Sequence, residues 1–243
     1  MKQLSIIAIV IDNLEITKRF VSSIKQYTTC NYELILIDNG SNDKETIEFL
    51  KNSADKYFRF DKRVSVSNAW NKGIDLAKGE YLVIANNDTI VPRNWFEKLK
   101  KPFEIDKNCG IVSPLTFWNY NFGLDTKRIK PLSSFFKKSK NKLIKLKIWK
   151  QGVWGEFLLF KRKQLIDLGK FSEEYPIASA EDIDILFTYY KNRYNVYIVP
   201  EVFVYHEGGS TGFVLGKTDK KKIWDYNYYK IFVPKWKKYS KDI

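Results

Sequence analysis

Cysteine is nearly absent from this chain: Cys30 and Cys109 are the only two in 243 residues. Two thiols so far apart make neither a disulfide framework nor a CxxC metal site, so both are expected reduced, in a reducing compartment. Long apolar runs are missing too, since no stretch approaches the roughly 18 consecutive apolar residues of a membrane span. The opening SIIAIVI imitates the apolar part of a signal peptide, but Asp12 ends it early and no small-residue cleavage pattern follows. A buried first strand and a cytoplasmic location are therefore expected. No RNP, zinc-finger or helix-turn-helix pattern is present, so the basic balance does not point to nucleic acid. Internal repeats and low-complexity linkers are also lacking.

What is there suffices for one large α/β core: 44% of residues are hydrophobic and 16% aromatic. The net charge of +14 is concentrated in two places, residues 127–150, with ten Lys or Arg and no acid, and the tail 217–241. In the tail, Lys220, Lys221, Lys222 and Lys230 alternate with Trp224, Tyr228, Tyr229 and Phe232. Such a mix suits the surface of an anionic membrane or an anionic glycan. It equally suits lysines that are simply solvated over packed aromatics.

The pattern alternates strands and helices. A continuous apolar strand at 4–11 precedes a helix at 15–27 whose Ile16, Phe20, Ile24 and Tyr27 share one face. Strands follow at 32–38, 57–60 and 81–85, separated by helices at 42–51, where Asn42 and Glu45 suggest a capping box, and at 67–77. Single helices between strands imply right-handed parallel crossovers and a doubly wound sheet. Further on, a helix is expected at 95–104 and a strand at 110–113. A basic loop or short helix at 119–150 precedes a strand at 153–161 and a short helix at 163–168. A helix at 181–192 is followed by two strands, 196–199 and 202–206, split by Pro200, and an aromatic helix begins beyond Phe213.

Polar residues cluster where apolar strands stop. EYLVIANNDT (80–89) runs into Asn86, Asn87 and Asp88, and YELILIDNGSND (32–43) ends in Asp38 followed by Gly40 and Ser41. Strand ends at the carboxyl edge are where open α/β sheets bind ligands, although a polar turn before Pro92 would look the same. SAEDIDI (179–185) puts Glu181, Asp182 and Asp184 at a helix start, and Ser179 with Asp182 fits a capping box. VFVYHEGGST (202–211) closes a strand with the only histidine, His206.

These segments, in this order and with VSNAWNKGIDLAKGE (66–80) among them, resemble glycosyltransferase family 2, the inverting sugar transferases of GT-A fold, including rhamnosyltransferase-like members. The resemblance spans about residues 4–211. It implies a GT-A type doubly wound, mostly parallel, Rossmann-like sheet with helices on both faces. Residues 1–212 would form one catalytic domain, with a nucleotide-sugar-binding half at 1–110 and an acceptor-binding half at 111–212, and 213–243 a basic aromatic tail. A divalent metal, Mn2+ or Mg2+, is implied at Asp88, with His206 completing the site and Asn86 standing where the family has an acid. Asp182 matches the general base, Glu181 orients the acceptor, and Asp184 is a weaker match. Asp38, Ser41 and Asp43 match the base-binding loop, and Asn68, Asn71 and Gly73 match the segment against the nucleotide. Asn71 also reads as a polar helix face and Gly73 as a packing position. Asn86 and Asn87 belong to the same nucleotide-sugar surface. The first loop departs from the family, with Val10, Ile11 and Asp12 where Thr, Tyr and Asn are common, so its contact to the nucleotide is altered.

The implied reaction moves a sugar from a nucleotide-diphosphate sugar, with UDP or dTDP expected, to a hydroxyl of a glycan or lipid-linked acceptor, with a peripheral membrane contact. Two alternatives compete. A nucleotidyltransferase would carry a glycine-rich basic loop near the first strand, and IVIDNLEIT has neither glycine nor basic residue. An inactive glycan- or membrane-binding relative would lack the acids, and Asp88, Asp182 and His206 are all present.

Overall fold

Four parallel strands form the first half of the sheet: β1 (Leu4–Val10), β2 (Tyr32–Asp38), β3 (Lys56–Arg59) and β4 (Tyr81–Asn86). The computed structural model describes residues 2–118, 144–145, 155–208 and 217–239. Three helices make the crossovers: α1 (Leu14–Tyr27), α2 (Lys44–Ser53) and α3 (Val66–Leu76). The remaining strands are β5 (Thr89–Ile90), β6 (Cys109–Trp118), β7 (Ile144–Lys145), β8 (Phe157–Lys161) and β9 (Asn195–His206). They extend one sheet in the order β3-β2-β1-β4-β8-β6-β9-β5, with β7 paired to β9. β8 runs antiparallel to both β4 and β6, and β6 runs parallel to β9.

Alternation along β1 creates the two layers, because successive side chains leave opposite faces of a strand. Ile6, Ala8 and Val10 join one core with Phe20, Val21 and Ile24 of α1 and Leu50 of α2. Ile7 joins the other, with Ala69, Trp70 and Ile74 of α3 and Ile185, Leu186 and Tyr189 of the helix Glu181–Lys191. Helices therefore cover both faces, as a doubly wound sheet requires. Gly73 is a packing position, since a Cβ there would lie 2.4 Å from Ile7 Cγ2. Glu33, on β2, ties three segments together. It accepts from Ser5 Oγ (2.7 Å) and the Lys78 amide (2.6 Å) and pairs with Lys56 (2.8 Å).

Local chemistry moves several expected boundaries. Asp43, rather than Asn42, caps α2, its carboxylate accepting from the Glu45 and Thr46 amides. Ser65 caps α3, so that helix starts at Val66. The helix expected at 95–104 is two short ones, Trp95–Leu99 and Lys101–Ile105, with Pro102 near the start of the second. Proline has no N–H to continue the first helix, and its ring crowds the preceding turn. β6 continues five residues beyond the expected 113, to Trp118. Pro200 does not split β9; the pairing with β6 slips from Pro114–Val199 to Leu115–Phe203, and Pro200 falls in that irregularity, where a missing donor costs the ladder little. β8 starts at Phe157, and the basic run 127–150 lies outside the described residues apart from β7.

The described part of the tail packs onto the domain. The helix Lys217–Tyr226 leads into a π-helical turn, Asn227–Phe232, and a last helical turn, Val233–Trp236. Phe232 and Trp236 are buried with Tyr175, Ala180 and Phe187 in a third apolar cluster. Tyr226 and Tyr229 are exposed. Among the described residues no helix is long and apolar enough to cross a membrane.

Candidate active site

A cleft opens at the carboxyl edge where the strand order reverses, β1 leading to β2 on one side while β4 lies on the other. Its walls are Ile9 and Ile11 at the end of β1, Asn13 before α1, Asn39 after β2, Val66 and Trp70 of α3, and Asn86 and Asn87 at the end of β4. Trp70 supplies an aromatic face, and the four asparagines supply amide groups. Asn87 is held by a bond from its Nδ2 to Thr17 Oγ1 (2.9 Å).

Val10 stands beside this cleft but turns its side chain into the core; its neighbours Ile9 and Ile11 face the cavity. Asp12 has a left-handed backbone (φ 50) and braces the neighbouring loop. Its carboxylate accepts from the Asn42 (2.8 Å) and Asp43 (2.9 Å) amides, and its amide donates to Ser41 Oγ (2.9 Å). Asp38 is fully buried and accepts from Ser41 N, Tyr57 OH and Arg59 Nη1 at 2.8, 2.9 and 3.0 Å. Arg59 Nη2 also donates to the Ser41 carbonyl (2.9 Å), so Arg59 and Tyr57, which sequence reasoning passed over, complete this loop.

Asn71 bonds to a segment distant in sequence: it donates to the Phe171 carbonyl (2.9 Å) and Glu173 (2.8 Å) and accepts from the Phe171 amide (3.0 Å). Both ends of its amide pin α3 to the 171–173 segment, alongside the nucleotide contact that the sequence suggests for it. Asn68 does the same work when its amide is oriented to satisfy both ends, donating to Glu173 (2.7 Å) and accepting from Ser65 Oγ (2.9 Å).

The sheet register brings Asp88 and His206 together. Thr89 of β5 pairs with His206 of β9, and the Glu207 amide donates to the Asp88 carbonyl (3.0 Å). Asp88 Oδ1 and His206 Nε2 consequently stand 3.0 Å apart, both buried, and Asn86 Nδ2 lies 3.4 Å from the same nitrogen. Burial opposes the charged imidazolium, but the Asp88 hydrogen bond and charge, with a contribution from Glu156, outweigh it and raise the His206 pKa.

This donor pair fits a divalent cation. Two ligands bound at about 2.1 Å and at right angles lie about 3 Å from one another. No group of three His, Cys, Asp or Glu positioned to hold a metal occurs among the described residues. A cation here would draw its remaining oxygens from substrate and water, the usual arrangement at phosphate-binding sites. The mixed carboxylate and imidazole set suits Mn2+ better than Mg2+.

Glu181 and Asp182 lie near a different part of the same edge. The expected capping box is absent: Ala180 precedes the helix, no side chain caps it, and Ser179 and Ala180 both have left-handed backbones (φ 79 and 71). Such conformations cost about 1–3 kcal/mol each for residues with side chains. Asp182 accepts instead from the Gly155 amide (3.1 Å) and its neighbour Ile183 (2.8 Å). Burial raises the Asp182 pKa against these two amides, and the charge of Glu156 adds to the rise. Glu181 is raised by burial and then by the Asp182 charge, and its Oε2 meets no hydrogen-bond partner among the described residues. Asp184 faces away, toward Tyr175, Lys235 and Trp236.

Glu156 is a further residue that sequence reasoning passed over. It is buried, its main-chain oxygen accepts from the Asn86 amide (2.9 Å), and its carboxylate accepts from Thr116 Oγ1 (2.6 Å). Its charge adds to the rise of both the Asp182 and the His206 pKa. The available signal was a lone acid after Gly155, immediately before the apolar run FLLF.

Comparison with known proteins identifies the family and the fold. A model of "Glycosyl transferase family 2" matches residues 5–169. Glycosyltransferase GlyG of Streptococcus pneumoniae is 33% identical over 110 residues, 42% of this chain and 34% of that protein. An uncharacterized glycosyltransferase of Methanocaldococcus jannaschii is 21% identical over 217 residues, 87% of this chain and 72% of that protein. Among solved structures, GalNAc-T7 with UDP, GalNAc and Mn2+ superposes with a TM-score of 0.68 at 21% identity, over 85% of this chain and 44% of that one. TarS of S. aureus gives 0.63 at 14% identity, over 87% of this chain and 38% of that one. This chain thus spans well under half the length of GlyG and of both solved structures. The two superpositions give the fold, which is of GT-A type.

Proposed function

The chain belongs to glycosyl transferase family 2, and from that premise we propose that it is a metal-assisted, inverting glycosyltransferase using a nucleotide-diphosphate sugar. The donor would carry UDP or dTDP and a hexosyl or deoxyhexosyl group, and the acceptor would be a hydroxyl of a glycan or lipid-linked glycan. A cytoplasmic enzyme, peripheral at the membrane face, fits this role. The observation that carries the reading is the buried Asp88–His206 pair, 3.0 Å apart, beside the cleft at the strand-order reversal.

Each residue then has a task. Trp70, Ile9 and Ile11 offer apolar walls to a nucleotide, and Asn39, Asn86 and Asn87 offer amides to its polar edges. Asp88 and His206 would hold the divalent cation, which when bound supplies Lewis-acid charge against the leaving diphosphate. Asp182 removes the proton from the attacking hydroxyl. Its raised pKa makes it a stronger base than an ordinary aspartate, and the Gly155 and Ile183 amides fix the carboxylate's direction. Glu181 orients the acceptor. Glu156, held by Thr116, adds negative charge near both Asp182 and His206. One displacement from the side opposite the diphosphate inverts the anomeric carbon.

The test is a thermal-shift series with UDP and dTDP, with and without Mn2+ or Mg2+. At ~100 times its dissociation constant a ligand adds about 2.7 kcal/mol, which raises Tm by about 5–10 °C in a domain of this size. Stabilisation that grows with metal is expected. No shift with any nucleotide under either metal would remove the donor-binding reading.

A further inference from the structure

We propose that the C-terminal segment positions the proposed base, with Asn227 acting as a brace for the helix that carries Asp182. Ser179 and Ala180 enter the helix Glu181–Lys191 through two consecutive left-handed conformations, and neither is glycine. Backbone of this kind persists only where the surroundings enforce it. The helix provides no side-chain cap of its own. Its first turn is closed by the Asp184 amide donating to the Ala180 carbonyl (2.9 Å).

The enforcement comes from the tail. Asn227 is fully buried, and its Nδ2 donates to both the Ala178 (2.7 Å) and Ser179 (2.9 Å) carbonyls. One amide thereby fixes two consecutive peptide planes just ahead of Glu181 and Asp182. Asn227 opens the π-helical turn Asn227–Phe232, a geometry that recurs at functional sites. One helical turn further, Asp184 accepts from Trp236 Nε1 (2.7 Å), Tyr175 OH (3.1 Å) and Lys235 Nζ (3.1 Å). Phe187 packs its ring against Phe232 and Trp236 at centroid distances of 4.9 and 5.4 Å. The base-bearing helix is held at its entry and again along its outer face.

None of these tail residues lines the nucleotide cleft or touches the Asp88–His206 pair. Their effect on catalysis runs through the position of Asp182 and leaves donor binding alone. The inference rests on reading Asp182 as the base, and the two can fail separately.

The experiment uses the full chain with Asn227→Ala, and with Trp236→Phe as a milder variant that keeps the aromatic ring but loses the donor to Asp184. Amide hydrogen exchange in peptides covering 178–186 is expected to rise roughly tenfold or more, while β1 and β4 keep wild-type protection. Affinity for UDP with Mn2+ is expected to stay within about twofold, while hydrolysis of a panel of UDP- and dTDP-hexoses falls about tenfold or more. Adding Asn227→Ala to Asp182→Asn is expected to cost nothing further. Unchanged exchange at 178–186 overturns the inference, as does a rise throughout the sheet with parallel loss of UDP affinity. Wild-type hydrolysis by Asp182→Asn overturns the base assignment alone, because the exchange measurement needs no turnover.

Discussion

Asp182 and Gly155 are matched in size as well as in hydrogen bonding. The Gly155 amide donates to Asp182 Oδ2 at 3.1 Å, and a Cβ at position 155 would lie 2.9 Å from the Asp182 Cβ. The turn before β8 thus sets how closely the carboxylate approaches the sheet edge.

Gly155→Ala must displace Asp182 or the turn itself. Misplacing a catalytic group by about 1 Å can cost on the order of 100-fold in rate. Hydrolysis of a nucleotide sugar is expected to fall by that order while UDP binding with Mn2+, followed by calorimetry, stays near wild type. Unchanged turnover would show that the turn tolerates the methyl group and does not fix the base.

Asp182→Asn and Asp88→Ala should separate chemistry from donor binding. The first removes only the proton acceptor, a loss of about 10²- to 10⁴-fold in kcat. The second should abolish the metal-dependent part of UDP binding. The pH profile gives an independent check. Because the Asp182 pKa is raised, wild-type rate should decline on the acid side above the ordinary aspartate value, as the base becomes protonated. That limb should vanish from the residual rate of Asp182→Asn.

Glu33 predicts an acid sensitivity of the fold. Burial alone would raise its pKa, but Lys56, Ser5 and the Lys78 amide together pull it below the ordinary glutamate value. A depressed folded pKa contributes stability above the unfolded value, and that stability is lost as pH falls through the folded value. Glu33→Gln should cost about 1.5–3 kcal/mol at neutral pH and flatten the fall in urea midpoint below about pH 4. Parallel urea–pH curves for the two proteins would refute this.

The exposed side of the tail predicts salt-sensitive binding to anionic vesicles. Lys220, Lys221, Lys222 and Lys230 are exposed with Tyr226 and Tyr229, and each basic residue near such a surface contributes ~1 kcal/mol. Lys220→Glu, Lys221→Glu and Lys222→Glu together should abolish sedimentation with phosphatidylserine-rich vesicles at low salt without changing Tm. Deleting the tail would be a poor test, because Phe232 and Trp236 are part of the core. Sedimentation that persists in the triple variant would assign those lysines to solvent.

Much of this was legible where one residue's surroundings are local. Apolar strands that stop at Asp38 and at Asn86–Asp88 announce the carboxyl edge directly, and alternating strands and helices give the doubly wound order. Pairings set by distant chain were not legible. Ser179 and Asp182 spell a capping box, yet Asn227 reorganises the loop between them. Asn71 looks like a ligand-facing amide, and only the fold shows the 171–173 segment bonding both its ends. Pro200 reads as a strand breaker, and only the slipped register with β6 shows how one strand accommodates it. Glu156 is silent in sequence because its partner Thr116 and the reversed direction of β8 place it at this edge.

That reversal also bears on how much chain the fold tolerates between β6 and β8. β6 ends at the carboxyl edge, with Trp118 opposite His206, and β8 begins there, with the Asn86 amide bonded to the Glu156 carbonyl. Part of the chain between them, Ile144–Lys145, pairs antiparallel with Ile198 and Tyr197 of β9, so it is tied to the sheet before β8 begins. Doubling a loop costs only about 0.6 kcal/mol in closure entropy. Length can therefore be added on either side of β7 at little entropic cost, without moving the strand ends that line the cleft.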